Sequence, residues 1–183
     1  MIKVDLMQIE QLLAQNQIDE YRHISIDIIP IDPKLRKYCE QNACGSFGKN
    51  HMCPPAVKEI REWKQEIHSF EQAVLISKVY STKSSFDLKA MHNGAVDFEK
   101  SLRNIKEAYE EQCPEKRIML LGAGPCMFCK KCTYPDGLPC RFPDKPHPSV
   151  EACGINVVQL SQKVNMKYYN GKNTVTYFGM ILF

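Results

Sequence analysis

Apolar residues alternate with polar ones in three distinct rhythms along the chain, and these rhythms predict the elements. Leu6, Ile9, Leu12 and Leu13 recur at helical spacing, which predicts a first helix beginning after Asp5 with Gln8 in the capping-box position. HISIDIIPI, residues 23–31, reads as a strand. Asp32-Pro33 then predicts a cap and the first position of a short helix leading into Cys39. Pro54-Pro55 predicts the opening of another helix, carrying Val57, Ile60, Trp63 and Ile67 on one face. AVLISKVY, residues 73–80, is a second strand. A long helix follows through Leu88, Met91, Ala95, Phe98, Leu102, Ile105 and Tyr109, and Pro114 ends it. RIMLL, residues 117–121, predicts a third strand broken by Gly122-Ala123-Gly124-Pro125. Asn156 is placed to cap a short helix with Val157, Leu160 and Val164 on one face and Gln159 in the reciprocal position. After a turn at Asn170-Gly171, TVTYFGMILF, residues 174–183, is apolar enough for a central strand.

A helical segment stands between each pair of successive strands. That order predicts an α/β fold, a single domain over residues 1–183, with crossover helices on a mixed or largely parallel sheet; α+β is the alternative. Residues 126–148 have no period and are rich in Pro and Cys, so a loop of that length calls for an internal staple.

Composition narrows the function classes. The chain has 183 residues, 44% hydrophobic and 25% charged, with a formal net charge of +3, enough apolar content for a core and too mild a surplus for nucleic-acid or membrane-surface binding. No apolar run approaches the roughly 20 residues that span a bilayer. Asp5 and Glu10 interrupt the first apolar segment and no small-residue cleavage site follows, so a signal peptide is not expected and the cytoplasm is. Cysteine is the outlier, with nine. An odd number in a reducing compartment argues for metal ligation over disulfides.

Seven of the nine fall into two groups. Cys126, Cys129, Cys132 and Cys140 lie in CMFCKKCTYPDGLPCRFP. Two-residue gaps let successive thiolates wrap one centre, a spacing closer to iron–sulfur ligation than to the paired motifs of structural zinc, which stays the alternative. Cys39, Cys44 and Cys53 lie in CEQNACGSFGKNHMCPP. Gly45 and Gly48 permit tight turns there, and a helix opening at Pro55 would favour a thiolate at Cys53. With three cysteines, this group either recruits His51 or Cys153 as a fourth ligand or leaves one iron open. Cys113 continues the apolar face of the long helix and reads as core. His147 has a solvated or packing role as its default. Lys49, Lys130, Lys131, Arg141 and Lys145 crowd both segments, either as a solvated face or as a surface for an acidic partner. GAGP at Gly122 lacks the later glycine spacing of a dinucleotide fingerprint.

CGSFGKNHMCPP, LLGAGPCMFCKKCTYPDGLPCRFPDKPHPSVEACGINV and the closing TVTYFGMILF, in that order, resemble a family of small predicted metal-binding proteins of bacteria and archaea known as DUF2284. The resemblance covers nearly the whole chain. It implies Cys39, Cys44, Cys53, Cys126, Cys129, Cys132 and Cys140 as metal-associated, and iron–sulfur more readily than zinc. That family commonly carries Trp at the position of His51, so a ligand role there would be peculiar to this chain. The resemblance supplies no reaction.

The expected function is therefore an iron–sulfur protein with two 4Fe–4S clusters and an electron-transfer or redox role, served by a redox protein or a small-molecule substrate. The alternatives are a small metalloenzyme using an open-coordination cluster as Lewis acid, and a structural zinc protein. Both cysteine groups are expected beyond the carboxyl ends of their strands, close together on one edge of the sheet.

Overall fold

The structure, a computed structural model, describes the backbone of residues 2–183 and the side chains from Leu6 onward. Its elements are α1 (Ile2–Gln15), β1 (Glu20–Ile24), α2 (Leu35–Glu40), α3 (Ile60–Ile67), β2 (Ala73–Ser81), α4 (Leu88–Gln112), β3 (Met119–Leu121), α5 (Val157–Lys163) and β4 (Thr174–Leu182). Helix α1 begins at Ile2, so Asp5 lies inside it and not before it.

The four strands form one sheet in the order β1-β2-β4-β3. Every neighbouring pair is antiparallel, which corrects the expectation of a largely parallel sheet. Near-continuous apolar strands report burial on both faces and not strand direction. Ala73 and Leu75 of β2 join one core, with Phe178, Met180 and Leu182 of β4. Val74 and Ile76 join the other, with Ile181. Strands β2 and β3 do point the same way, with α4 as the crossover, but β4 returns between them and runs against both. The last strand is central, as its composition predicts.

Helices α1 and α4 supply the second core through Ile9, Leu12, Leu13, Phe98, Leu102, Ile105 and Tyr109. Burying a ring such as Phe98 contributes about 2–3 kcal/mol. Helices α3 and α5 cover the opposite face with Trp63, Ile67, Val157 and Leu160. Asn156 caps α5, its Oδ1 accepting from Gln159 N–H at 3.0 Å.

Two further boundaries differ from the sequence reading. The strand expected over residues 23–31 ends at Ile24, because Ser25 Oγ accepts from Asp27 N–H and starts a 3-10 turn over Ile26–Ile28. The helix expected at Pro55 starts at Ile60, where Glu59 and Glu62 form a capping box. Cys53 therefore has no helix N-terminus beside it. Among the described residues no helix is long and apolar enough to cross a membrane.

Candidate metal centre

The first cysteine loop leaves the 3-10 turn after β1 and returns to the sheet through α3. Cys39 lies in α2, while Cys44 and Cys53 follow in turns. Gly45 and Gly48 adopt φ of +73° and +67°, the left-handed region open to glycine. Gly48 N–H donates to Pro54 O at 2.8 Å and closes the loop on itself. Asn42 and Asn50 side chains hold the intervening backbone, accepting from Phe47 N–H and Met52 N–H at 3.0 Å each. Burial pushes the Cys53 thiol above its ordinary pKa, the Asn50 side chain opposes the shift, and the neighbouring Cys44 and Cys39 add to it. Burial also raises Cys39, with Arg36 opposing and Cys44 adding. The three sulfurs thus sense one another electrostatically. Cys44 is exposed and Cys53 buried.

The second loop, after β3, has no regular structure through its four cysteines except a 3-10 turn over Tyr134–Asp136. Thr133 Oγ1 donates to Pro139 O at 2.8 Å and ties the turn to the strand of chain leading to Cys140. Burial raises the Cys126 thiol, Phe128 N–H opposes it, and Cys132, Cys129 and Cys140 raise it further. All four sulfurs line one small cavity, with Phe128, Phe142, Pro146 and His51 completing its wall. The Phe128 and Phe142 rings pack at 4.8 Å between centroids, and Arg103 of α4 lies 5.4 Å over Phe128.

The two loops meet. His51 crosses from the first to the second, its Nε2 lying 3.1 Å from Leu138 O and 3.3 Å from Thr133 Oγ1, with its ring edge-on to Tyr134. His51 is therefore a bracket against the four-cysteine loop and does not close the three-cysteine set. The backbone N–H of Cys126 also stands close enough to the Cys53 sulfur to favour its thiolate.

Their meeting has a different cause from the one the sequence suggested. Strands β1 and β3 run in opposite directions, so their carboxyl ends do not share an edge. The turn at residues 149–156 gathers the loops instead. Gly122 N–H donates to Pro148 O and Val150 N–H donates to Gly122 O, fixing the root of the second loop. Asp32 N–H donates to Gly154 O, Asn156 N–H donates to Pro30 O, and Ile31 bridges Ile155, fixing the root of the first.

Cys153 sits in that turn, fully buried among Trp63, Val150 and Ile155. Burial pushes its thiol well above the ordinary value, and Arg36 and Glu151, which also act on Cys39, stand within its electrostatic reach. Cys113 packs on the α1–α4 core and its thiol donates to Gln8 Oε1 at 3.0 Å. Of the flanking cations, Lys131 pairs with Asp136 at 3.0 Å and Lys145 with Glu107 at 2.8 Å, while Arg141 donates to Lys131 O.

One arrangement escaped the sequence reading. His147 Nε2 lies 2.8 Å from Glu99 Oε2, with side chains only 6% and 11% exposed. The contact is close but poorly aligned for a hydrogen bond, and Nδ1 has no partner. Glu99 Oε1 accepts from Ala123 N–H at 3.1 Å. A Cβ at Gly122 would stand 2.3 Å from Glu99 Oε1 and 2.8 Å from His147 Nε2, so a larger residue there must push both side chains aside. The pair braces the root of the four-cysteine loop against α4. Its one sequence signal is a carboxylate, Glu99, next to Phe98 on the apolar stripe.

The donor set suits a soft metal, since thiolates select zinc, copper(I) and iron–sulfur clusters. All nine cysteines are free thiols. Four thiols around one small cavity would repel one another as thiolates, and a bound cation reverses that repulsion. Among the described residues no three His, Cys, Asp or Glu side chains converge tightly enough to hold one ion.

No curated protein and no solved structure matches the chain. The sequence model of one family, described as Predicted metal-binding protein (DUF2284), matches residues 22–183. That span contains both cysteine loops, the turn that gathers them and all four strands but for the first two residues of β1. The chain belongs to this family of predicted metal-binding proteins.

Proposed function

We propose that the protein is a cytoplasmic iron–sulfur protein holding two 4Fe–4S clusters and passing electrons to a redox partner. The observation that carries this reading is the contact between the loops: seven thiols, divided four and three, on two segments packed together through His51 and through Cys126 against Cys53. Cys126, Cys129, Cys132 and Cys140 would hold one cluster and Cys39, Cys44 and Cys53 the other. A zinc ion draws its thiolates to about 2.3 Å from one point, whereas a cubane spreads its cysteines over different irons. The two-residue spacing of Cys126, Cys129 and Cys132 supports the cubane. Bound clusters would supply one-electron chemistry, and the peptide N–H groups near Cys53 and Cys126 are of the kind that tune cluster potentials.

A second reading has its own observation. Of the two candidates for a fourth ligand to the three-cysteine set, His51 is engaged with the other loop and Cys153 is buried in the turn that gathers the loops. One iron open to a small-molecule substrate would make the chain a metalloenzyme using a Lewis-acidic site.

The test is metal and acid-labile sulfide analysis of protein isolated without oxygen. About eight iron atoms per chain are expected, four for each cubane. Stoichiometric zinc without sulfide would contradict both readings and leave a structural zinc protein.

A further inference from the structure

Beside the three-cysteine loop, helices α2 and α3 flank an open groove of about 600 Å³, a volume typical of small-molecule sites. Ile31, Pro33 and the buried Ile60 give it an apolar floor. Arg36 and Lys37 from α2 face Arg61 and Lys64 from α3 along its rim. Two carboxylates also line it, Glu40 and Glu59. Glu59 is committed to the α3 capping box, where its side chain takes the N–H of Glu62.

The cations are less committed. Among the described residues Lys37, Arg61 and Lys64 find no ion pair or side-chain hydrogen bond. Arg36 donates through Nη2 to Lys58 O at 2.8 Å, which fixes the guanidinium, while its Nε is shielded from water without any partner. Four cations against two carboxylates along an apolar groove favour an anionic ligand.

We propose that this groove binds a small organic oxyanion, an apolar body carrying a carboxylate or phosphate, with the body on Ile31 and Ile60 and the charge between Arg36 and the α3 cations. Arg36 stands one turn before Cys39 in α2, so an anion bound there lies next to the three-cysteine loop. This goes beyond the cluster reading and holds whichever metal the cysteines carry. Surplus positive charge and an apolar floor together favour an amphipathic anion over a bare inorganic one, and the groove's size favours a small molecule over a protein surface.

Isothermal titration of the isolated protein tests the site with phenyl phosphate, phenylacetate, inorganic phosphate and neutral benzyl alcohol as probes. At least one aromatic anion should bind saturably, more tightly than inorganic phosphate, while benzyl alcohol does not. The tighter of the two anions identifies the preferred headgroup. Arg61 and Lys64 are exposed, so the double variant R61Q/K64Q should fold as the wild type does, checked by its unfolding curve, and should weaken binding about tenfold or more. No saturable binding by either anion up to about 10 mM, well beyond the millimolar range of weak small-ligand sites, would overturn the proposal. So would equal binding by R61Q/K64Q or by benzyl alcohol. Metal and sulfide content of the same sample separates this result from the fate of the cluster reading.

Discussion

The two cysteine loops are built to different standards of rigidity. The four-cysteine loop is braced from outside itself: Glu99 and His147 hold its root, Arg103 lies over Phe128, Lys106 donates to Asp144 O at 2.7 Å, and Lys145 pairs with Glu107. All of these lean on α4, the longest helix. The three-cysteine loop has external ties only at its root and at His51 and is otherwise held by its own backbone turns and by Asn42 and Asn50, and one of its thiols, Cys44, stands in solvent. A loop fixed by many external contacts keeps its ligands in place with little reorganisation, which suits a closed relay. A self-supported loop with an exposed ligand gives access. The difference teaches that the two sites need not share one role, although one turn gathers both.

The sharpest way to break this comparison is Gly122→Ala. The added methyl must displace Glu99 and His147 together, so the variant should lose up to about 3 kcal/mol of stability in denaturant unfolding and release metal from the four-cysteine loop first. Unchanged stability would mean that the root is not held as described. Next in size is Glu99→Ala. It leaves His147 buried with no ionic partner and Ala123 N–H without its acceptor, at a cost of about 2 kcal/mol; metal held by Cys39, Cys44 and Cys53 should be unaffected.

A smaller effect sharpens the contrast in access. In a chelator challenge the wild type should lose metal in two phases, the exposed three-cysteine site first. Phe142→Ala removes one wall of the four-cysteine cavity, costs about 1 kcal/mol of ring packing, and should bring the two rates together. A single phase in the wild type would erase the distinction.

The smallest effect serves as a control far from both loops. Hydrogen bonds from Lys78 and then Tyr80 hold the Asp97 carboxyl below its ordinary range. Its folded pKa lies under the unfolded one, so the stabilisation is present at neutral pH and lost as pH falls through the folded value. Because Asp97 is half exposed, Asp97→Asn should cost only about 0.5 kcal/mol at pH 7. The gap to wild type should shrink on acidification, with metal content unchanged throughout.

Much of this architecture was legible in the sequence. Strong periodicity placed β2, α4, α5 and β4 within a residue or two, and the cysteine spacing singled out both loops. Strand direction was not legible, because burial on both faces erases the alternation that would separate antiparallel from parallel strands. Local hydrogen bonding hid other boundaries: Ser25 turns an apolar run out of the sheet, and the Glu59–Glu62 box overrides Pro54-Pro55 as a helix start. The contact of the two loops was anticipated, but its agent was not. Residues 149–156 look like an ordinary loop, and their work is done by backbone groups that carry no side-chain signature. The Glu99–His147 pair was invisible for a related reason, since its partners are 48 residues apart and only the crossover of α4 brings them together.

Electron paramagnetic resonance of the anaerobically isolated, fully reduced protein tests most directly whether two adjacent clusters occupy these loops. Wild type should give a broadened spectrum from two interacting spins. Cys39→Ser, which disables only the three-cysteine site, should reduce it to the simple signal of one isolated cluster. A wild-type spectrum that is the plain sum of two independent signals would contradict the adjacency of the sites, and no iron–sulfur signal at all would contradict the clusters.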